Sequence, residues 1–462
     1  MTHNDDRRRA LLGAGGLLAA GGAMLAASTD VADAAKRATR AREGTHGVAT
    51  LTDFGIAPDV PRDQTPALQR AIDRTAERGV PLLIPSGHYQ TRTLTLRSGT
   101  RLLGVGPASI LTSIGVDAVL SAEDAVAVAI EDLTVAANNR PVTSDRAGAI
   151  TAQAVGTVTL RDVVVSAPAA HGIALYRCGG TLDGLTVSGA GQAGVFCLDG
   201  RAVMITGCTI SDCANNGILV WQSAPGDDGA IITGNRISNI RSEAGGTGQN
   251  GNAINVFRAN GVTVSGNRMT DCAYSAIRAN TSSNVVMTQN QARNIGEVAL
   301  YAEFAFSGAV IAQNVVEQAA TGVSVTNFNE GGRLAVVQGN LIRNLRRREL
   351  EPVDKRGNGI AVEADTAITG NVVEGAPTAG IWIGTRQFMR NVSATGNVVR
   401  SSGIGIAVSD DRGAGAALIA NNIISNTRSG GIRRIAGQRP TGRDLITGVE
   451  EARLSVTGNL MG

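Results

Sequence analysis

Residues 262–270 read VTVSGNRMT, and the phrase returns as VVMTQNQAR at 285–293, AVIAQNVVE at 309–317 and AVVQGNLIR at 335–343. An apolar residue, a polar one, then Gly, Gln or Asn, an Asn and a following pair recur at Asn235, Asn267, Asn290, Asn314, Asn340, Asn371, Asn397, Asn422 and Asn459. Successive asparagines lie 23 to 37 residues apart, a basic unit near 24 with insertions; that period belongs to stacked repeat architectures. Between them runs a second phrase, a small residue before Ile-x-Val or its like, as at Gly172-Ile173, Gly217-Ile218, Gly359-Ile360 and Gly380-Ile381. Each repeat therefore holds two or three period-two strands of four or five residues, too short for helices and too close together for βαβ units. The remaining geometry is a coil, whose stacking makes parallel sheets at ~4.8 Å spacing. An Asn at a tight bend tolerates left-handed dihedrals, and its amide donates and accepts along the stack. The nine asparagines should thus form one ladder, with Cys208 in the ladder position one coil earlier.

Composition agrees with an all-β chain: among 462 residues, 59 are Gly, 12 are Pro and 3% are aromatic, which describes short strands and tight turns. The net charge of +3 becomes about +4 without residues 1–34, which hold three Arg and four Asp. It is spread without a basic stripe, so nucleic acid is not an expected partner. The five cysteines are odd in number and lack C-x-x-C or Cys/His spacing, which argues against a sulfur-bound metal. Cys213 and Cys272 hold matching positions but with one coil between them, about 10 Å apart, beyond the ~7 Å reach of a disulfide; they are expected to be unbridged.

The chain opens with Arg7-Arg8-Arg9, a Gly/Ala/Leu run to about Ala27, and Ala32-Asp33-Ala34 as a small-residue cleavage site. These are the parts of an export signal, and the paired arginines favour the twin-arginine route and its machinery. The run falls short of the ~20 apolar residues of a membrane span, and no later segment could serve as one. The expected division is a signal at 1–34, a flexible linker at 35–49, an N-terminal cap with the first coils at 50–110, and β-helix repeats at 111–462. In the cap, Thr65 as N-cap, Pro66, an apolar face of Leu68, Ala71, Ile72 and Thr75, and Gly79 as stop predict a helix; it would cover the open strand edges of the stack.

Asp53-Phe54-Gly55, the Gln69 to Asp73 helix and Ile84-Pro85-x-Gly87-x-Tyr89 resemble the entry of pectate-lyase-like proteins, the pectin lyase fold. With its signal, the chain is also similar to twin-arginine-exported repeat proteins of no established activity. The resemblance implies a single-domain, right-handed parallel β-helix with an N-terminal capping α-helix, in the bacterial periplasm or secreted. It also implies that ligands lie along the outer face of the Gly-Ile-x-Val strands, while leaving lyase, hydrolase, epimerase and non-catalytic binder open.

Strand alternation turns Ile173/Leu175, Val195/Cys197, Ile218/Val220 and their counterparts inward, and the residues between them outward. Six of the chain's thirteen aromatic residues fall on those outward positions: Tyr176, Phe196, Trp221, Phe257, Tyr301 and Trp382. An exposed aromatic stripe on a rigid sheet can stack sugar rings, and it can equally be covered by loops as a satellite core. Asn255 and Asn280 share the face as candidate binding groups. Glu303 and Glu363 stand in one column with Thr326 between them, two spacings or roughly 9.6 Å apart along the stack, compatible with the acid and base of an inverting glycosidase. Arg278 could neutralise a uronate or assist β-elimination. The Asn-Thr-Asp, Gly-His-Gly and Arg-Ile-Lys set of polygalacturonases and the Asp-Pro-His-Glu of epimerases are absent. Asp227-Asp228 reads as a loop, and His171 is the single histidine near the face. No cofactor is expected; the pair Asp410-Asp411 falls short of the six to eight oxygens of calcium. These residues point to a protein that binds, and as lyase or glycoside hydrolase cleaves, a polysaccharide, uronic acids included. The rival is a non-catalytic envelope protein displaying a binding surface.

Overall fold

Three short strands and three bends make one turn of the coil. Gly148–Gln153, Thr157–Arg161 and Val164–Ser166 form one turn, and each pairs in parallel with its successor, His171–Tyr176, Gly179–Asp183 and Thr186–Ser188. About 14 such turns stack into a right-handed parallel β-helix. The computed structural model describes residues 47–348, 356–437 and 439–462. The expected signal and most of the expected linker lie outside these residues. Residues 48–462 form one unit.

The register is set by an unbroken inward column on each strand. On the first it runs Leu94, Leu120, Ile150, Ile173, Val195, Ile218, Ile254, Ile277, Leu300, Val323, Ile360, Ile381, Ile406 and Ile432. Slipping one coil by a single residue would turn its apolar set to solvent. The columns merge into one core from Leu51 to Val456. The second strands form a 17-stranded sheet; the first and third share a 28-stranded one. They share it because Gln291–Glu303 and Val315–Val325 run from the third strand of one coil into the first of the next.

The asparagines stack as one ladder at the bend between second and third strands. Cys208 N–H donates to Asn235 Oδ1 at 2.9 Å, so the column does begin at Cys208. From there each Asn gives both its backbone N–H and its Nδ2 to the next Oδ1, for example Asn290 to Asn314 at 2.9 and 3.1 Å, through to Asn459. The second Nδ2 hydrogen goes to a carbonyl one coil back, as from Asn314 to Met287 O. In mid-ladder both amide hydrogens and both oxygen lone pairs are thus used, which a buried amide requires. The left-handed position differs from expectation: it is the residue before each Asn, Gly234, Gln289 and Asn421 among them, that has φ of 57° to 67°. The Asn itself must turn its amide inward, and the preceding residue makes the bend that allows it.

The helix Thr65–Glu77 buries Leu68, Ala71, Ile72 and Thr75. Its N-cap is Gln64, with Thr65 already helical and its N–H bound to Asp63 Oδ1 at 2.9 Å. Gln69 donates to Thr95 O at 2.9 Å and accepts from Thr95 N–H at 2.8 Å, completing the free edge of Leu94–Leu96. At the other end the antiparallel pairs Ile432–Ala436 with Arg439–Thr441, and Val449–Glu451 with Leu454–Thr457, end the parallel stack. All five cysteines are free and buried. Ile240 pairs with Cys272, and Arg241 N–H binds Cys213 O, so a full coil separates these two thiols.

Asn314→Ala removes the acceptor for two donors of Asn290. Each orphaned buried donor costs about 1–3 kcal/mol, so the midpoint of chemical denaturation should fall well below that of Asn459→Ala, at the half-buried end of the ladder. Equal midpoints would contradict the ladder's role.

Candidate functional site

On the outward face, parallel register brings Tyr176, Leu198, Trp221 and Phe257 into one column, and Ala174, Phe196, Leu219 and Asn255 into the next. Four rings interlock across these columns. Tyr176 meets Phe196 edge to face at 5.7 Å, Phe196 meets Trp221 at 5.4 Å, and Trp221 meets Phe257 at 5.7 Å. Neighbouring coils are too close for rings to stand apart, so they tilt into the T-shaped geometry their quadrupoles favour. Phe196 is buried, with Ala193 and Leu219, under half-buried Tyr176, Leu198 and Trp221. The rings are thus both a satellite core and the wall of an open cleft of about 510 Å³.

Opposite the rings the cleft is polar, lined by Asp145, Arg146, His171, Gln192, Asn215, Asn216 and Asn250. His171 Nδ1 accepts the Ala193 N–H at 3.2 Å, leaving the proton of the neutral ring on Nε2, and the ring lies 4.9 Å from Phe196. Burial lowers its pKa to about 4. Tyr176 Oη donates to Arg146 O, and burial pushes its pKa up to about 12. Asn215 donates to Gln192 Oε1 at 2.9 Å, and Asn216 to Asn250 Oδ1 at 3.2 Å. Arg258 closes one side, its guanidinium 4.7 Å from Phe257 and bonded to Ser223 O. Apart from the strand residues His171, Asn216 and Arg258, these polar residues stand in bends and insertions that the strand pattern does not rank. Their one sequence signal is position, since Gln192 and Asn215 occupy the bend just before the strands that start at Ala193 and Asn216.

The other candidates lie elsewhere. An insertion, residues 242–250, folds across the face beyond Phe257. Asn255 donates to Gln249 O at 3.4 Å, and Gly248, with φ of 130°, lies so close over Arg278 that a Cβ there would come within 1.4 Å of Nη1. Arg278, Glu303 and Asn280 form a closed network beneath it. Arg278 Nε donates to Glu303 Oε1 at 2.5 Å, Asn280 Nδ2 donates to the same oxygen at 2.9 Å, and Glu297 stands 3.7 Å from Arg278 Nη1. Burial opposes the guanidinium's charge, but Glu303 and Glu297 outweigh it and raise its pKa above the ordinary value. Tyr301 is buried, 5.3 Å from that guanidinium. Glu363 keeps its column position but turns its carboxylate to Phe328 N–H at 2.7 Å, bordering a separate cavity of about 110 Å³. Trp382 is buried with Ala361, Ala379, Ile404, Ala407 and Ile435, its Nε1 donating to Gly384 O.

The expected single groove from Tyr176 to Trp382 is therefore divided by the insertion. The two carboxylates, aligned in backbone register, are drawn into different networks. Of the pair expected in a loop, Asp227 instead ends the strand Asn216–Asp227, paired with Asn260, while Asp228 just after it accepts from Gln222 and Ala230; Asp410 accepts from Arg434 and Thr441. Among the described residues no three His, Cys, Asp or Glu side chains stand together as a metal site, and no helix is long and apolar enough to cross a membrane.

The family described as right handed beta helix region matches residues 148–227, 171–342 and 226–397. Among solved structures, gene product 12 of bacteriophage phi29 is similar over 88% of this chain at 16% identity and a TM-score of 0.51; the match covers 57% of the phage protein. The surface adhesin PfbA of Streptococcus pneumoniae matches over 89% of this chain and 100% of its own, at 15% identity and a TM-score of 0.48. The A-module of the Azotobacter vinelandii mannuronan C-5 epimerase AlgE6 matches over 90% and 99%, at 15% and 0.42. At such identities the likeness concerns the fold alone. No curated protein matches the sequence.

Because the folded pKa of His171 lies below its usual 6.5, the unfolded chain takes up a proton between about pH 6.5 and 4 that the folded chain does not. Stability should fall as pH drops through that window. The slope of denaturation midpoint against pH should be shallower in His171→Gln; identical slopes would contradict a neutral buried ring.

Proposed function

The chain belongs to the right-handed β-helix family, and from that premise we propose that it binds a polysaccharide in the cleft between Tyr176 and Phe257. The observation that carries this reading is the interlocked series Tyr176, Phe196, Trp221 and Phe257 along an open cleft whose other side is amides, a neutral imidazole and two charges. Sugar rings have apolar C–H faces and a rim of hydroxyls, so they suit ring faces on one side and amide donors and acceptors on the other. The rings brace one another on a stiff sheet, so little ordering entropy opposes binding.

Binding rather than cleavage is the role we assign to this cleft. Glu303 is 2% exposed and held by Arg278 and Asn280, and Glu363 is tied to a backbone N–H, whereas a general acid or base must reach the proton it transfers. Trp221→Ala should weaken binding of the responsive members of a neutral and uronic-acid oligosaccharide panel roughly tenfold, about 1.4 kcal/mol. Glu303→Gln should leave that affinity unchanged while lowering stability, because it leaves the buried Arg278 charge with Glu297, 3.7 Å away, in place of its directly bonded carboxylate. The panel should yield neither unsaturated products nor new reducing ends. Turnover lost in Glu303→Gln or Glu363→Gln would replace this reading with that of a lyase or hydrolase.

We also propose export by the twin-arginine route to the periplasm or beyond. Arg7-Arg8-Arg9 before the Gly/Ala/Leu run supports it; the five thiols are free and buried, and burial raises their pKa, which would keep them inert in an oxidising compartment. Replacing Arg7 and Arg8 by Lys should leave precursor in the cytoplasm on cell fractionation. Undiminished export of that variant would refute the route.

A further inference from the structure

We infer that the carboxyl-terminal end of the same face carries a second site, one that takes an acidic sugar through its carboxylate. The inference rests on a different cleft from the one at Trp221. Trp382 lies six coils beyond Leu219, the neighbour of Trp221 in the adjacent column, through Asn255, Arg278, Tyr301, Ser324 and Ala361, roughly 29 Å at the ~4.8 Å spacing of strands. Beside it opens a cleft of about 530 Å³, lined among others by Thr385, Arg386, Phe388 and Arg439. Arg386 and Phe388 come from the turn after the strand Ala379–Ile383, and Arg439 from the hairpin pairing Ile432–Ala436 with Arg439–Thr441. Sequence elements some fifty residues apart thus bring two guanidiniums to one opening.

Charge decides what such an opening can hold. Residues 380–462 contain ten Arg and no Lys against five Asp and Glu, a net of +5 in a chain whose total is +3. Several of those arginines are committed: Arg390 to Asp365, Arg400 to Glu374, Arg434 to Asp410 and Glu451, and Arg453 to backbone carbonyls. Arg386 and Arg439 are exposed and their guanidiniums have no acceptor among the described residues, and no carboxylate lines their cleft. A planar guanidinium fork matches a carboxylate's two oxygens. Half-buried Phe388, which lines the same cleft, offers an apolar face for the ring that bears the carboxylate. The combination favours a uronate-type sugar over a neutral one, and over a bare oxyanion that would leave Phe388 unused.

The test uses the full chain and a hexamer of 4-linked galacturonate, against the same hexamer with its carboxyls reduced to alcohols, titrated at low and high salt. The wild type should bind the carboxylated form at least tenfold more tightly, with the difference shrinking as salt rises. Arg386→Gln with Arg439→Gln should abolish that preference, leaving binding of the reduced hexamer and the denaturation midpoint unchanged, since both side chains are exposed. Trp221→Ala should weaken both hexamers but keep the preference, which separates failure of this site from failure of the first. A wild type indifferent to the carboxylate, a preference that survives in the double arginine variant, or a preference lost instead in Trp221→Ala would each overturn the inference. Displacement of the hexamer by inorganic phosphate at equal concentration would also overturn it, by reducing the site to one for a bare oxyanion.

Discussion

A single coil of this chain cannot satisfy itself. Its strands are mostly three to six residues long, and their peptide groups find partners only in the coils before and after. Everything else depends on repeating that satisfaction without a gap, and the bend between second and third strands is where it is hardest, because the backbone turns while staying buried. The asparagine ladder meets the demand by making each amide the acceptor for its neighbour's two donors. Such an arrangement works only as a series. Before it starts, the same inward position holds Leu133, Val163 and Leu185, and Cys208 makes the junction by giving its backbone N–H to the first Asn.

A stack so constrained inside is free outside. Inward positions tolerate only side chains that fill the column, whereas bends can lengthen without disturbing register, as loops generally can. The chain uses this freedom twice on one face. The stretches before Gly148–Gln153, Ala193–Leu198 and Asn216–Asp227 bring Asp145, Arg146, Gln192 and Asn215 to the polar side of the aromatic cleft. The longer insertion at 242–250 gives Asn250 to that cleft and also lies down on the sheet, covering Arg278 and dividing the face. Covering charges requires that they be paired, since a lone buried ion is costly, and the pair with its Asn280 donor meets that need. The insertion is Gly-rich where it must be: at Gly248 no side chain would fit above the guanidinium.

The alternation of Ile173/Leu175 with Ala174/Tyr176, and its repetition through Ile406/Val408, was legible in the chain alone. A period of two allows only two faces, and the column of apolar residues selects one of them. The same reasoning aligns Trp221 with Phe257, Asn280 with Glu303, and all nine asparagines, and it separates Cys213 from Cys272 by a coil. Which residue of the bend takes the left-handed conformation was not legible, because Gly, Gln and Asn before the ladder Asn all accept it.

Sequence by itself therefore determined the coil, its register, the ladder and the membership of each outward column, since all follow from local periodicity multiplied by stacking. Tertiary structure alone decided which outward residues meet solvent and which partners their charges take. Phe196, Tyr301 and Trp382 share outward positions with Tyr176 and Trp221 yet are buried; Glu303 and Glu363 share a column yet bond to different groups. The reason is that strand alternation specifies direction, whereas burial depends on where insertions come to rest. That is settled by contacts between residues distant in the chain, Gly248 with Arg278 or Ile435 in the cluster that buries Trp382, which no local pattern records.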